Sequence, residues 1–229
     1  MTTSSLRAAL DVAATVLMIS VSGALLWLMF QAPRSPAPQE LVQQLSGVSI
    51  EAAALSNIRG GGRVVLIEFG DYECPFCARH ETGAGDRIME RYVESGRLQF
   101  AFLHFPLEMH PHARAAAEAA VCAAHQGKFW EMHDALFSTT NALEHSSLIA
   151  KASTINLDEE RFGECLSGGE AALVVARDEE EGRRLGVSGT PAFFLGVRRP
   201  DGAIDLRVRL NGALEFDEFE KAIGRRLES

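Results

Sequence analysis

A short apolar run, VVLIEF (Val64 to Phe69), is broken by Gly70 and Asp71 and followed almost at once by Cys74-Pro75-Phe76-Cys77. The run is rich in β-branched residues and does not alternate with polar ones, so it reads as a strand buried on both faces. Pro75 marks a first helical turn, where its missing N–H leaves no bond unmade, and ARHETGAGDRIMERYVESG predicts a helix to about Gly96. A buried strand, a tight break and a helix that opens on a cysteine pair therefore form the unit around which the rest must fold.

The chain has only two other cysteines, Cys122 and Cys165. A Cys-x-x-Cys can attach haem, contribute half of a zinc site or act as a redox dithiol. Haem attachment needs His directly after the second cysteine, but Ala78 stands there and His80 comes too late. Structural zinc wants a second close pair of ligands, whereas Cys122 and Cys165 stand singly and far apart. A redox pair needs a thiolate at a helix N-terminus, where unpaired backbone N–H groups and the helix dipole lower the thiol pKa. Cys74, at the cap, is the expected nucleophile, and Cys77, one turn further in, the expected resolving thiol. Glu68 breaks the apolar character of the strand, because a buried carboxylate costs several kcal/mol unless neutralised or paired. Burial would raise its pKa and suit it to accept the Cys77 proton during exchange; a strand-end position facing solvent is the bland alternative.

An acid six positions before the first cysteine, Cys-Pro-x-Cys opening a helix, and GVSGTPAFFLG (Gly186 to Gly196) together resemble the thioredoxin superfamily, specifically its DsbA-type thiol:disulfide oxidoreductases. FPLEMHPHARAAAEAAVCAAHQGKFWEMHDALF (Phe105 to Phe137) is similar to the helical insert of the branch that carries Phe-Pro-Leu, His-Pro-x-Ala and Gln-Gly-Lys-Phe-Trp. The likeness covers about residues 63 to 226. It implies an α/β, thioredoxin-like fold with a helical insertion over about 108–185, Cys74 and Cys77 as the redox disulfide, and Glu68 beneath them. It also implies a cis Thr190–Pro191 bond against the sulfurs. Proline tolerates the cis bond and lacks an N–H, leaving the backbone of Thr190 free to pair with an extended peptide. The implied substrates are cysteine-containing exported polypeptides, the implied reoxidant is a quinone-linked membrane thiol oxidase, and no cofactor or metal is expected. Oxidase, isomerase and reductase share these motifs; a lone monomeric module favours the oxidase. An even cysteine count in an exported domain favours a structural disulfide between Cys122 and Cys165, the alternative being two buried free thiols.

The expected organisation is a cytoplasmic N-terminus (1–11), a transmembrane anchor (12–30), a tether (31–62) with a short helix near Pro38 to Leu45, and the catalytic domain (63–229). Val12 to Phe30 is uncharged and long enough to span a bilayer, while a cleaved signal peptide is the rival reading because Ser22-Gly-Ala24 offers a small-residue site. A periplasmic placement follows from the dithiol rather than from the weak flanking charge. A net charge of −9 gives no basic footprint for nucleic acid. DEEEGRR (Asp178 to Arg184) reads as a solvated helix face. His104, His110 and His112 are loosely spaced, and a tethered copper- or zinc-handling module with Cys74 and Cys77 as soft ligands is the second function class. A chaperone with idle cysteines is the third. Phe76 stands where well-known DsbA members carry His, and Glu73 and Glu68 both oppose a Cys74 thiolate, so a milder oxidant is expected.

Overall fold

The computed structural model describes Trp27, residues 41–139 and residues 142–228. The chain divides after Pro38, and the unit from Gln39 onward holds every element named below. The expected span at 12–30 lies outside the described residues; among those described, no helix is long and apolar enough to cross a membrane.

Six strands form one sheet: β1 (Val42–Ile50), β2 (Asn57–Gly60), β3 (Val64–Gly70), β4 (Leu98–His104), β5 (Ala192–Arg198) and β6 (Ile204–Asn211), in the spatial order β1-β6-β5-β3-β4-β2. β3 lies at the centre, parallel to β4 and antiparallel to β5. Residues 42–60 correct the expected tether, because Val42–Ile50 and Asn57–Gly60 are the two edge strands, joined through a short 3-10 turn at Ala52–Ala54. β1 runs antiparallel along β6, and β2 along β4. β1 reads VQQLSGVSI, with a register shift between Gln44 and Val48 and Gly47 at φ +70°; a half-exposed, bulged edge carries little periodic signal. The glycines of NIRGGGR turn the chain from β2 into β3. Gly62 has φ +87°, and a Cβ there would stand 2.7 Å from the Arg97 carbonyl oxygen.

Every residue of β3 is buried because both faces of the sheet are covered. Side chains alternate across a strand, so Val64 and Leu66 enter one core with Tyr72, Cys74 and Cys77, while Val65, Ile67 and Phe69 enter the other with Phe194 and Leu206. Alternation places Glu68 on the face that carries the cysteines. α1 (Pro75–His80) covers this face and passes without a break through a π-helical turn (Glu81–Gly85), a short α segment (Asp86–Ile88) and a second π turn, ending at Val93 rather than near Gly96. α7 (Phe216–Leu227) packs Phe216, Phe219 and Ile223 into the same core.

The insertion between β4 and β5 comprises α2 (Ala113–Ala124), α3 (Phe129–Phe137), α4 (His145–Thr154), α5 (Glu159–Gly168) and α6 (Glu170–Arg184). α6 approaches the second face closely at Gly182, where a Cβ would come within 2.5 Å of the Phe105 ring and 3.1 Å of Phe69. The solvated-face reading of Asp178 to Arg184 is corrected here. Asp178 and Glu179 are buried; Asp178 accepts the His104 backbone N–H at 3.2 Å, and Glu179 takes Arg114 Nη2 through both oxygens, at 2.8 and 2.9 Å. A carboxylate that reaches across to a strand or another helix carries no local signature in the sequence.

Cys122 on α2 and Cys165 on α5 are joined, with an S–S distance of 2.04 Å and a sequence separation of 43. Closing a loop of this length stabilises by about 4 kcal/mol on loop-entropy grounds. The double substitution Cys122→Ala, Cys165→Ala should therefore lower the denaturant midpoint clearly while leaving Cys74 reactive to iodoacetamide. An unchanged midpoint would mean that side-chain packing alone holds α2 against α5.

Candidate active site

The break after β3 carries the chemistry. Cys74 has extended backbone angles (φ −76°, ψ 120°) and caps α1, with Pro75 in the first turn. Both Cys74 and Cys77 are free thiols and buried. As a thiol, Cys74 donates to the Thr190 carbonyl oxygen at 3.4 Å, across 116 residues of chain. The Thr190–Pro191 peptide bond is cis, and Gly212 N–H donates to the Pro191 carbonyl at 2.8 Å, tying this loop to the end of β6.

The two thiols differ sharply in acidity. The Cys77 thiol donates to the Cys74 sulfur and is the largest influence holding the Cys74 pKa down to about 5; burial opposes it, while Thr190 and the backbone N–H groups of Cys77 and Phe76 add to it. The same bond works against Cys77, whose pKa is pushed well up, by burial first and then by the Cys74 bond and the Glu68 charge. Cys74 is therefore a thiolate at neutral pH and Cys77 a thiol. Glu68 is 0% exposed, and among the described residues neither carboxylate oxygen has a hydrogen-bond partner. Burial pushes its pKa well up, with the charges of Glu81 and Cys74 adding and Arg59 opposing. Burial thus favours the protonated form of the group beneath the sulfurs. The solvent-facing alternative does not hold.

Three features of the site had no signal in the sequence reading. Asp71, noted there only as a strand breaker, is a buried acceptor: Oδ1 takes the Glu73 N–H at 2.8 Å, and Oδ2 takes the Leu107 N–H at 2.9 Å and His110 Nδ1 at 2.7 Å. It binds the loop before Cys74 to the loop after β4. His110 is the second feature. Burial lowers its pKa, but the bond to Asp71 and its charge, then the charges of Cys74 and Glu73, raise it further, so its shift is upward. Positive charge near Cys74 is thus favoured at residue 110, while position 76 carries Phe, which is 53% exposed. Glu73, expected to oppose the thiolate, instead accepts the His112 backbone N–H at the start of α2, at 2.7 Å.

The third feature is Glu81, one turn beyond Cys77. Burial raises its pKa, but the hydrogen bond and charge of His133 lower it more, so the net direction is down. His133 Nε2 lies 3.2 Å from Glu81 Oε1, and its Nδ1 lies 3.2 Å from the Tyr72 hydroxyl. Two carboxylates that act on each other by charge therefore part ways, the Glu81 pKa moving down and the Glu68 pKa well up. The metal alternative gains nothing from the expected histidines. Both ring nitrogens of His104 are buried without partners, and His110 is held by Asp71. Among the described residues the grouping of three metal-capable side chains is Glu81, His133 and Asp134, which includes neither cysteine.

Two outcomes follow from this geometry. Alkylation of Cys74 in the reduced protein should be half-maximal near pH 5 and flat above about pH 7, with Cys77 inert; equal labelling of both would contradict the asymmetry. Asp71→Ala leaves the Glu73 and Leu107 N–H groups and His110 unpaired, and should cost about 3 kcal/mol or more in unfolding free energy. A loss below about 1 kcal/mol would show that Asp71 does not organise the loop.

Residues 62–223 match the family model described as Thioredoxin. The Na(+)/H(+) antiporter NhaA 1 of Salinispora arenicola is 34% identical over 211 residues, which cover 86% of this chain and 32% of the antiporter. The Na(+)/H(+) antiporter NhaA of Herminiimonas arsenicoxydans is 36% identical over 155 residues, 67% of this chain and 24% of that protein. The chain spans about a third of these relatives or less, and antiport is not carried over to it. Among solved structures, oxidised BdbD from Bacillus subtilis aligns with a TM-score of 0.66 at 20% identity, over 81% of this chain and 100% of that one. Alpha-DsbA1 from Wolbachia pipientis aligns with a TM-score of 0.64 at 20% identity, over 75% and 90%. A thioredoxin-like oxidoreductase from Silicibacter pomeroyi DSS-3 aligns with a TM-score of 0.63 at 23% identity, over 77% and 94%. At these identities the likeness is one of fold. The chain belongs to the thioredoxin family, with a helical insertion separating β4 from β5.

Proposed function

We propose that this protein is a thiol:disulfide oxidoreductase that introduces disulfides into exported polypeptides. The observation that carries this reading is the acidity difference within one helical turn, a Cys74 pKa of about 5 beside a Cys77 pKa pushed well up. In the oxidised form, a client thiolate attacks Cys74 Sγ and breaks the Cys74–Cys77 bond. Cys77 departs with the electron pair and takes a proton from Glu68, which burial keeps protonated. A second client thiolate then attacks the client sulfur of the mixed disulfide, and Cys74 leaves as a stabilised thiolate. The client loses two electrons and the Cys74–Cys77 pair gains them. Thr190 and Pro191 have the role of holding the client chain in extended form against Cys74, and the Cys122–Cys165 bond is structural.

In this reading residues 12–30 anchor the protein with its catalytic domain on the periplasmic side, and the domain begins near Leu41 rather than at 63. A quinone-linked membrane thiol oxidase restores the disulfide, the working unit is a monomer, and neither nucleic acid nor a cofactor takes part.

The deciding measurement is the reduction potential of the Cys74–Cys77 pair in glutathione buffers. A Cys74 pKa of about 5 lies between thioredoxin's ~7 and DsbA's ~3.5, so the potential should fall between ~−270 and ~−120 mV. A value at or below the thioredoxin end would replace the oxidase with a reductase. Cys77→Ser should accumulate mixed disulfides with client proteins, because the resolving thiol is gone, and Cys74→Ser should form none. Glu68→Gln should slow release of Cys77 about tenfold or more without unfolding the domain; rates unchanged across neutral pH would remove Glu68 from the proton transfer.

A further inference from the structure

Beside Thr190 and Pro191 lies an open cavity of about 510 Å3, lined by Gln43, Ser188, Thr190, Pro191, Arg209 and Asn211 among others. A client paired with the Thr190 backbone must pass its flanking residues along this wall. The sheet register fixes how far away Arg209 stands. Asn211 pairs with Ala192 and Arg209 with Phe194, so Arg209 is three positions back from the Gly212 that bonds Pro191, or ~10 Å at the rise of an extended chain. That separation corresponds to about three residues of an extended client.

The guanidinium of Arg209 is held but not neutralised. Nε donates to Asn211 Oδ1 at 2.7 Å, Nη1 to the Leu185 carbonyl at 3.4 Å and Nη2 to the Gly186 carbonyl at 3.1 Å. Its carbon sits 5.4 Å from the centre of the Phe194 ring. Among the described residues it makes no ion pair, although nearby Arg184 and Arg207 are matched to Glu181 and Asp205. A guanidinium has five N–H groups. Three are used, so two remain, one on each terminal nitrogen, as charged donors that a carboxylate oxygen can accept. Carbonyl oxygens and a ring fix the side chain in place, so little rotamer freedom is lost on pairing. In a chain of net charge −9, an unmatched and preorganised cation beside the cis proline is a feature that a ligand would complete.

We infer that Arg209 makes the groove beside Pro191 selective for clients that carry an Asp or Glu side chain within a few residues of the reacting cysteine. The inference rests on the client-exchange reading given above and adds a charge preference to it. Clients with Lys or Arg at that place are disfavoured by the same charge.

The test uses the full chain in its oxidised form and a series of N-acetylated, C-amidated peptides with one cysteine, so that no terminal carboxylate competes. A single Glu, Gln or Lys is walked through the positions on either side of the cysteine. The second-order rate of mixed-disulfide formation with each peptide is divided by its rate with 2-hydroxyethyl disulfide, which is uncharged, so that the effect of the substitution on the peptide's own thiol is removed without a charge bias. At the best position the Glu peptide should exceed the Lys peptide about fivefold, the scale of one partly screened ion pair. The ratio should shrink in high salt, survive in Arg209→Lys, fall to about one in Arg209→Gln and invert in Arg209→Glu. Equal normalised rates for Glu, Gln and Lys at every position in the unmodified protein would overturn the inference, as would a preference that persists in Arg209→Gln. If no peptide reacts at all, the exchange reading falls and takes the inference with it.

Discussion

The N-terminus of α1 reaches one sulfur and not the other, and most of the site's chemistry depends on that inequality. Cys74 sits at the cap, where it meets the backbone N–H groups of Phe76 and Cys77. Cys77 is one turn deeper and fully buried, which works against its thiolate. The hydrogen bond between the two amplifies the difference, since a donor that stabilises one thiolate is made harder to ionise by the bond it gives. The residue that gains is the one facing Thr190 and the cis proline, and the residue that loses is sheltered. Attack and departure are therefore assigned to different sulfurs before any client arrives.

That arrangement needs a loop that does not move, and the loop's own residues supply little of its order. Asp71 supplies it. One buried carboxylate collects Glu73 from its own turn, and Leu107 and His110 from the far side of β4. Through the same contact, His110 is fixed near Cys74 with its pKa raised. Glu73 accepts the backbone N–H of His112, which caps α2, so the helical insertion and the cysteine loop are cross-linked twice. The insertion in turn is clamped by Cys122–Cys165 and by the carboxylates of α6. These contacts form a connected path between the insertion and the sulfurs.

Residues whose chemistry is local were legible in the sequence. Cys74, Cys77 and Pro75 announce a capped helix at short range, and Glu68 stands out against five apolar neighbours. Thr190 and Pro191 are placed only through the family's Thr-Pro motif, since Thr190 meets Cys74 across 116 residues. The edge strands were missed because β1 is bulged and half-exposed and β2 is four residues ending in glycine, so neither carries the unbroken apolar run that identified β3. Asp178 and Glu179 were misread for a related reason. A run of acids on a helix looks solvated unless its partners are known, and those partners are a strand backbone and an arginine on another helix. Glu81 and His133 lie 52 residues apart, and nothing near either one points to the other.

The pairing of Glu81 with His133 is what lets Glu68 work. Two carboxylates buried close together cannot both ionise without a large cost, so one must hold the proton, and which one does so depends on its surroundings. Glu81 has a hydrogen-bond donor in His133, which is itself held by the Tyr72 hydroxyl, and it keeps some contact with solvent. Among the described residues, Glu68 has no hydrogen-bond partner for either oxygen. The negative charge therefore settles on Glu81, and its field adds to burial in keeping Glu68 protonated. A proton is thereby stored on the cysteine-bearing face of β3, and the charge of Cys74 raises the Glu68 pKa in turn. When exchange leaves negative charge on the buried Cys77 sulfur, that field falls on a neutral acid rather than on a second anion, and the proton has a short path to the group that needs it.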